Sequence, residues 1–144
     1  LKPDNVLLAK SQQGEVHAKV ADFGLSHVVN QDASHASSRA SGTLQYMAPE
    51  VLAHGRATLA ADMYSFGVIM WCLFTGQEPW VREGPGLFSR NPLFPHFPPV
   101  TPETHEAHTR FIALALSCLS ESPADRPRAS TLCAELGAIL AVIK

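Results

Sequence analysis

Apolar residues first appear in two short runs, Val6 to Ala9 and the alternating V-H-A-K-V-A of Val16 to Ala21. Between them Ser11-Gln12-Gln13-Gly14-Glu15 is polar and carries a glycine, so the whole predicts a β-hairpin. Periodicity then disappears from Ser26 to Thr43, a stretch rich in Ser, Ala, His and Asn that reads as a long loop. A short helix is predicted over Met47 to Ala53, with Pro49 near its first turn. Thr58 to Thr75 carries apolar residues on several faces, with Thr58 placed as N-cap and Gly76 just past the end. A helix apolar nearly all round belongs at the centre of a domain. Residues 77–103 hold seven of the eleven prolines and read as irregular connection. Two amphipathic helices follow, Glu106 to Leu119 and Ser130 to Ile143, joined at the corner "SESPADRPRAS". The pattern predicts an α+β fold, a small β-hairpin packed on a mostly helical body.

Composition narrows the function classes. The 144 residues suit one domain or a large part of one, and 46% hydrophobic with 17% charged is ordinary globular usage. A formal charge of −2 leaves no electrostatic footprint for nucleic acid or acidic membranes. The longest apolar stretch, Phe66 to Phe74, falls far short of the roughly 20 residues that span a bilayer. No secretory signal is visible. Three cysteines, Cys72, Cys118 and Cys133, are odd in number and widely spaced, so buried reduced thiols are expected rather than a disulfide framework. The histidines show no metal-ligand spacing, and His105 and His108 read as a solvated helix face.

Candidate chemistry gathers at one end of the predicted hairpin. "VADFGLS" puts Asp22 at the end of a strand, followed by an aromatic and a hinge-capable glycine. Asn5 precedes the partner strand, so the hairpin sets Asn5 and Asp22 close together. A carboxylate and an amide oxygen are hard ligands that suit Mg²⁺ sharing phosphate oxygens. Lys2 adds a cation where a phosphoryl group needs its charge neutralised.

"LKPDNVLL", "ADFGLS", "GTLQYMAPEVL", "ADMYSFGVIMW" and "SPADRP" together resemble, in order, the C-terminal lobe of a eukaryotic protein kinase. That family's catalytic loop reads H-R-D-L-K-P-x-N and is followed by D-F-G and A-P-E. "LKPDN" with "GT" is similar to the Ser/Thr type, and "MYSFGVIMWCLFTGQEPW" with "CLSESPADRP" to the tyrosine-kinase-like group. The resemblance implies a kinase-like C-terminal lobe with the N-terminal lobe absent. It divides the chain into the end of the catalytic loop at 1–8, an activation segment at 22–50 and a helical subdomain at 51–144. It implies phosphoryl transfer from Mg-ATP to protein Ser/Thr hydroxyls, with a protein substrate and ATP as partners. Neither nucleic acid nor membrane contact is implied within the chain. A cytoplasmic location follows, or the cytoplasmic side of a membrane if a transmembrane segment lies upstream.

The resemblance also implies residue roles. Asn5 and Asp22 would hold Mg²⁺, and Lys2 would steady the transferred phosphate and the substrate hydroxyl. Leu7 would form the floor under adenine and Ala21 would line the same pocket. Phe23 and Gly24 would belong to the movable packing element of the D-F-G motif. Thr43 resembles the threonine that bonds the catalytic aspartate and lysine, and Leu44 to Met47 would dock the residue following the phosphoacceptor. Glu50 looks like the ion-pair partner of Arg126, and Asp62 like the aspartate that bonds the catalytic-loop backbone. Of the loop serines 34, 37, 38 and 41, Ser38 and Ser41 are the candidate phosphorylation sites.

The match begins one residue after the catalytic aspartate, which would stand immediately before Leu1. The glycine-rich loop, the ATP-positioning lysine, its glutamate partner, the hinge and two helices would also lie upstream. The chain alone is therefore expected to be inactive and poorly folded, with the face of residues 63–74 partly uncovered. The alternative is a non-catalytic pseudokinase or truncated kinase-like binding module.

Overall fold

A computed structural model of the chain describes residues 1–21, 44–55, 58–101 and 105–143. The loop read at 26–43 lies outside them. A 3-10 turn at Pro3–Asn5 leads into β1 (Val6–Lys10), which pairs antiparallel with β2 (Val16–Val20). Gly14 takes φ 87° in the connecting turn, where Ser11 Oγ accepts from the amides of Gln13 and Glu15. The predicted hairpin is thus present, but every residue of β2 is exposed. The strands are held to each other by their ladder rather than by packing on the helices, which corrects the expectation that they rest on the helical body.

Helix α1 (Pro49–His54) starts on a proline, whose missing N–H costs nothing in a first turn, and ends at Gly55 with φ 67°. The central helix α2 (Leu59–Thr75) is capped as its sequence predicts. Thr58 Oγ1 accepts from the Ala61 amide at 3.2 Å, and Gly76 closes the other end with φ 69°. Eight residues of α2 are buried, among them Val68 and Trp71 at 0% exposure. Two clusters form around it. Ala48, Val51, Tyr64, Trp71 and Phe94 pack on one side; Met70, Ala115, Cys118 and Leu132 pack on the other.

The region read as irregular, 77–103, holds a second hairpin, β3 (Trp80–Gly84) and β4 (Leu87–Arg90). The prolines explain why it was missed. Pro79 and Pro92 stand just outside the strands and Pro85 in the turn, so none removes an amide from the ladder. Asn91 locks the base: its amide donates to Pro79 O at 2.9 Å, and its buried side chain bonds Gln77, Glu78 and Leu93. Helices α3 (His105–Cys118) and α4 (Ala129–Ile143) complete the fold, joined by a 3-10 turn at Pro123–Asp125. All three cysteines are free thiols. Cys118 is buried and Cys72 half-buried, whereas Cys133 lies exposed on α4, contrary to the expectation of three buried thiols. The exposed face of α2 is narrow, with Leu59 at 88% and Leu73 at 77% its most open apolar residues.

Helices α2 and α3 touch closely at Gly67. A Cβ there would lie 2.8 Å from the Cβ of Cys118 and 3.1 Å from Leu119 Cγ, whereas one at Gly137 of α4 would meet nothing within 4 Å. Gly67→Ala is predicted to lower stability by about 1–3 kcal/mol, because overpacking against a backbone-fixed Cβ outweighs the helix-propensity gain. Gly137→Ala should raise stability by about 0.5–1 kcal/mol. Denaturant midpoints of the two variants moving in opposite directions is the expected outcome.

Candidate functional site

The hairpin end brings the N-terminal motif residues together. Asn5, the last residue of the opening 3-10 turn, donates its amide to Lys2 O at 3.0 Å. Its own carbonyl accepts from the Ala21 amide at 2.7 Å, one rung beyond the Val6–Val20 pair. The residue before Asp22 is therefore bonded directly to Asn5. Lys2 Nζ lies 3.7 Å from Asp4 Oδ2. Leu7 is exposed on β1 and Ala21 half-buried. Asp62, in the first turn of α2, places Oδ1 3.3 Å from the Leu1 backbone nitrogen, tying this segment to the central helix. Asp22, Phe23, Gly24, Thr43 and the serines at 34, 37, 38 and 41 lie outside the described residues. Among the described residues no cluster of three His, Cys, Asp or Glu side chains could hold a metal ion.

The second part of the site is the turn leading into α1. The Met47 amide donates to Leu44 O at 3.2 Å, and the Tyr46 carbonyl accepts from Ser65 Oγ of α2 at 2.7 Å. The Tyr46 and Cys72 side chains both pack against the cluster of Ala48, Val51, Tyr64 and Trp71. Burial, with the nearby Cys72 and Glu78 charges, pushes the Tyr46 phenol up to about 12. Burial also raises the Cys72 thiol to about 11. Sequence reasoning named Tyr46 only within the Leu44 to Met47 segment and Cys72 only among the buried thiols, and did not single out Ser65. The signal was a polar Ser65 inside the otherwise apolar face of a central helix, where a hydroxyl needs a partner.

The third part is an ion pair. Arg126, its side chain 0% exposed, donates Nη1 to Glu50 Oε1 at 2.7 Å and Nη2 to Glu50 Oε2 at 2.8 Å. Its other donors reach the carbonyls of Ser120, Ala60 and Glu121 at 2.8, 3.0 and 3.3 Å. All five guanidinium N–H groups are thus engaged, and the plane lies over the Tyr64 ring, 5.0 Å from its centroid. The pair joins α1 to α2 and to the α3–α4 corner, 76 residues away in sequence.

These three arrangements span the same ordered motifs, and a family profile described as "Protein kinase domain" matches residues 1–136. The chain belongs to the protein kinase family. It is 42% identical over 138 residues to "Receptor-interacting serine/threonine-protein kinase 3" of Rattus norvegicus, covering 88% of this chain and 28% of that protein. The Homo sapiens protein of the same name is 36% identical, with 88% of this chain and 26% of that protein covered. "Leucine-rich repeat receptor protein kinase EMS1" of Arabidopsis thaliana is 34% identical, with 88% of this chain and 12% of that protein covered. The chain thus spans less than a third of each of these relatives. Its likeness is to protein kinases of the serine/threonine, tyrosine-kinase-like kind. Among the described residues no helix is long and apolar enough to cross a membrane.

In this kinase chain the Glu50–Arg126 pair makes stability depend on acidity. The Arg126 hydrogen bonds hold the Glu50 carboxyl below its ordinary 4.5. A carboxyl lowered in the folded state contributes stability that is fully present above its unfolded value and lost as pH falls through its folded value. Unfolding monitored from neutral pH down through the region below 4.5 should therefore show an acid limb that flattens in Glu50→Gln. Arg126→Met is expected to cost about 3–5 kcal/mol at neutral pH, because it leaves Glu50 and three carbonyls without their donor. A melting point within a degree of the wild type in Arg126→Met would contradict this role.

Proposed function

We propose that the chain is the phosphate-binding and substrate-docking part of an ATP-dependent Ser/Thr protein kinase. The observation that carries this reading is the Ala21-to-Asn5 hydrogen bond of 2.7 Å. It ties the residue just before the D-F-G motif to Asn5, which this reading takes as part of the catalytic loop. The division proposed is catalytic-loop end at 1–8, activation segment at 22–50 and helical subdomain at 51–144, together forming a C-terminal lobe.

Protein kinases use ATP and Mg²⁺. The donors fit the metal: Asn5 offers an amide oxygen and Asp22 a carboxylate, both hard ligands. When bound, the ion neutralises charge on the β- and γ-phosphates. Lys2 supplies the protein's own cation beside them, its Nζ 3.7 Å from Asp4 Oδ2. Leu7 and Ala21 would line the adenine site, and Thr43 would hold the catalytic loop against the activation segment. Leu44 to Met47 receive the protein substrate next to the accepting hydroxyl. Glu50, Arg126 and Asp62 act structurally, fixing the activation segment and the catalytic loop to α2. Ser38 and Ser41 are the proposed points of phosphorylation. The substrate is a Ser or Thr side chain of a protein, on the cytoplasmic side of any membrane the full protein crosses.

The full-length protein should convert Mg-ATP to ADP in the presence of a Ser/Thr peptide, and Asp22→Ala should reduce that turnover to background. Unchanged turnover in Asp22→Ala would remove the metal assignment. Tight nucleotide binding with no turnover in the wild type would return the non-catalytic reading, as would a residue other than aspartate before Leu1.

A further inference from the structure

Two arginines of this chain are used in opposite ways. Arg126 spends every donor, whereas Arg90, the last residue of β4, has neither an ion pair nor a side-chain hydrogen bond among the described residues. Its guanidinium lies over the Phe94 ring, 4.8 Å from the centroid. Stacking occupies the face of a guanidinium and leaves its in-plane N–H edge open, the edge that grips a carboxylate. The backbone behind it is fixed: Arg90 pairs with Trp80 across the ribbon, and the next residue, Asn91, is buried and bonded to Gln77, Glu78 and Leu93.

Arg90 borders a cavity of about 400 Å³ whose apolar wall includes Pro49, Phe94 and Leu119 and whose polar groups come from Arg90, Tyr64 and Glu121. Tyr64 is 6% exposed, and its hydroxyl has no hydrogen-bond partner among the described residues. Among those residues no fully buried polar side-chain atom is left unpaired, so this hydroxyl reaches open space. The open space that Tyr64 lines is the cavity. Glu121 gives its carbonyl to Arg126, but its carboxylate has no ion-pair partner among the described residues. Largely apolar walls with a few convergent polar groups are the usual make-up of a small-molecule site.

We infer that this cavity binds a small aromatic monocarboxylate. The carboxylate meets the open edge of Arg90 and accepts from the Tyr64 hydroxyl, both strong bonds to a charged oxygen. The ring packs on Phe94 and Leu119, where an aromatic partner gains more than its area alone supplies. Glu121 sets the charge. Arg90 neutralises one negative group, and a second would stand against the Glu121 carboxylate with no cation left to meet it. None of the lining residues is among those assigned to ATP, the metal or the Leu44–Met47 turn, so the inference does not rest on the kinase reading.

The test titrates the full-length protein with 2-naphthoate, followed by its fluorescence, with Mg-ATP in excess so that a nucleotide site is already filled. 2-Naphthamide is the neutral control, and 2-naphthyl phosphate, a dianion above pH 7, the doubly charged one. Naphthoate should bind about tenfold tighter than either, the value of one charge-assisted hydrogen bond. Arg90→Gln should weaken naphthoate about tenfold and leave naphthamide unchanged, with Arg90→Lys falling between because it keeps the charge and loses the fork. Tyr64→Phe keeps the ring beneath Arg126, so the melting point should stay in place while naphthoate weakens about three- to tenfold. Glu121→Gln should preserve naphthoate binding and bring naphthyl phosphate up to it. Equal binding of naphthoate and naphthamide would overturn the inference, as would an Arg90→Gln protein that binds naphthoate like the wild type. A wild type that shows no saturable binding of naphthoate would do the same, and so would losses in the variants that follow only their melting points.

Discussion

A helix without a polar face has to be surrounded, and that constraint organises this protein. Helix α2 buries Val68 and Trp71 completely and turns Tyr64 and Trp71 to one side and Met70 to the other. Hydrophobic burial is non-directional, so it collects whatever apolar surface the chain supplies. Here that is α1 and the Phe94 loop on one flank, and α3 and α4 on the other. Direction comes from a few polar groups. Trp71 Nε1 donates to His96 O at 2.9 Å, Phe94 meets the Trp71 ring edge-on at 5.1 Å, and Gly67 lets α3 approach without a side chain between. The proline-rich segment is thus pinned to the helix at its centre.

The functional parts use the same helix as a reference frame. Asp62 in its first turn reaches the Leu1 backbone, and Ser65 one turn later reaches the Tyr46 carbonyl. Arg126 closes the frame from outside by bonding Glu50 and Ala60 together. A buried guanidinium is expensive to desolvate, so one with every donor satisfied serves as an orienting device rather than a source of stability. Segments far apart in sequence are thereby set relative to one rigid rod.

The elements that could be read directly were those whose signals are local. Thr58 and Gly76 bounded α2, and Gly14 marked the first turn, because caps and positive-φ glycines act within a few residues. The ordered motifs from "LKPDN" to "SPADRP" were also legible, and with them the family and the Glu50–Arg126 partners. The second hairpin was not: a high proline count suggests disorder of the backbone until the positions of Pro79, Pro85 and Pro92 relative to the strands are known. The exposure of Cys133 and of all of β2 was equally hidden, since an apolar neighbourhood in sequence says nothing about which neighbours arrive in space. The bond from Ser65 to the Tyr46 carbonyl was invisible for the same reason.

What the sequence alone determined is the chemistry on offer: the residue types of "LKPDN", the D-F-G and A-P-E motifs, the helix caps and the apolar central helix. These depend on side-chain identity and on spacings of a few residues, which a linear chain carries in full. What only the tertiary structure decided is which of those groups meet. That Ala21 bonds Asn5, that Ser65 bonds the Tyr46 carbonyl, and that Arg126 spends every donor are long-range outcomes. They are set by how the chain packs around α2, because burial brings distant segments together and leaves their polar groups to find one another.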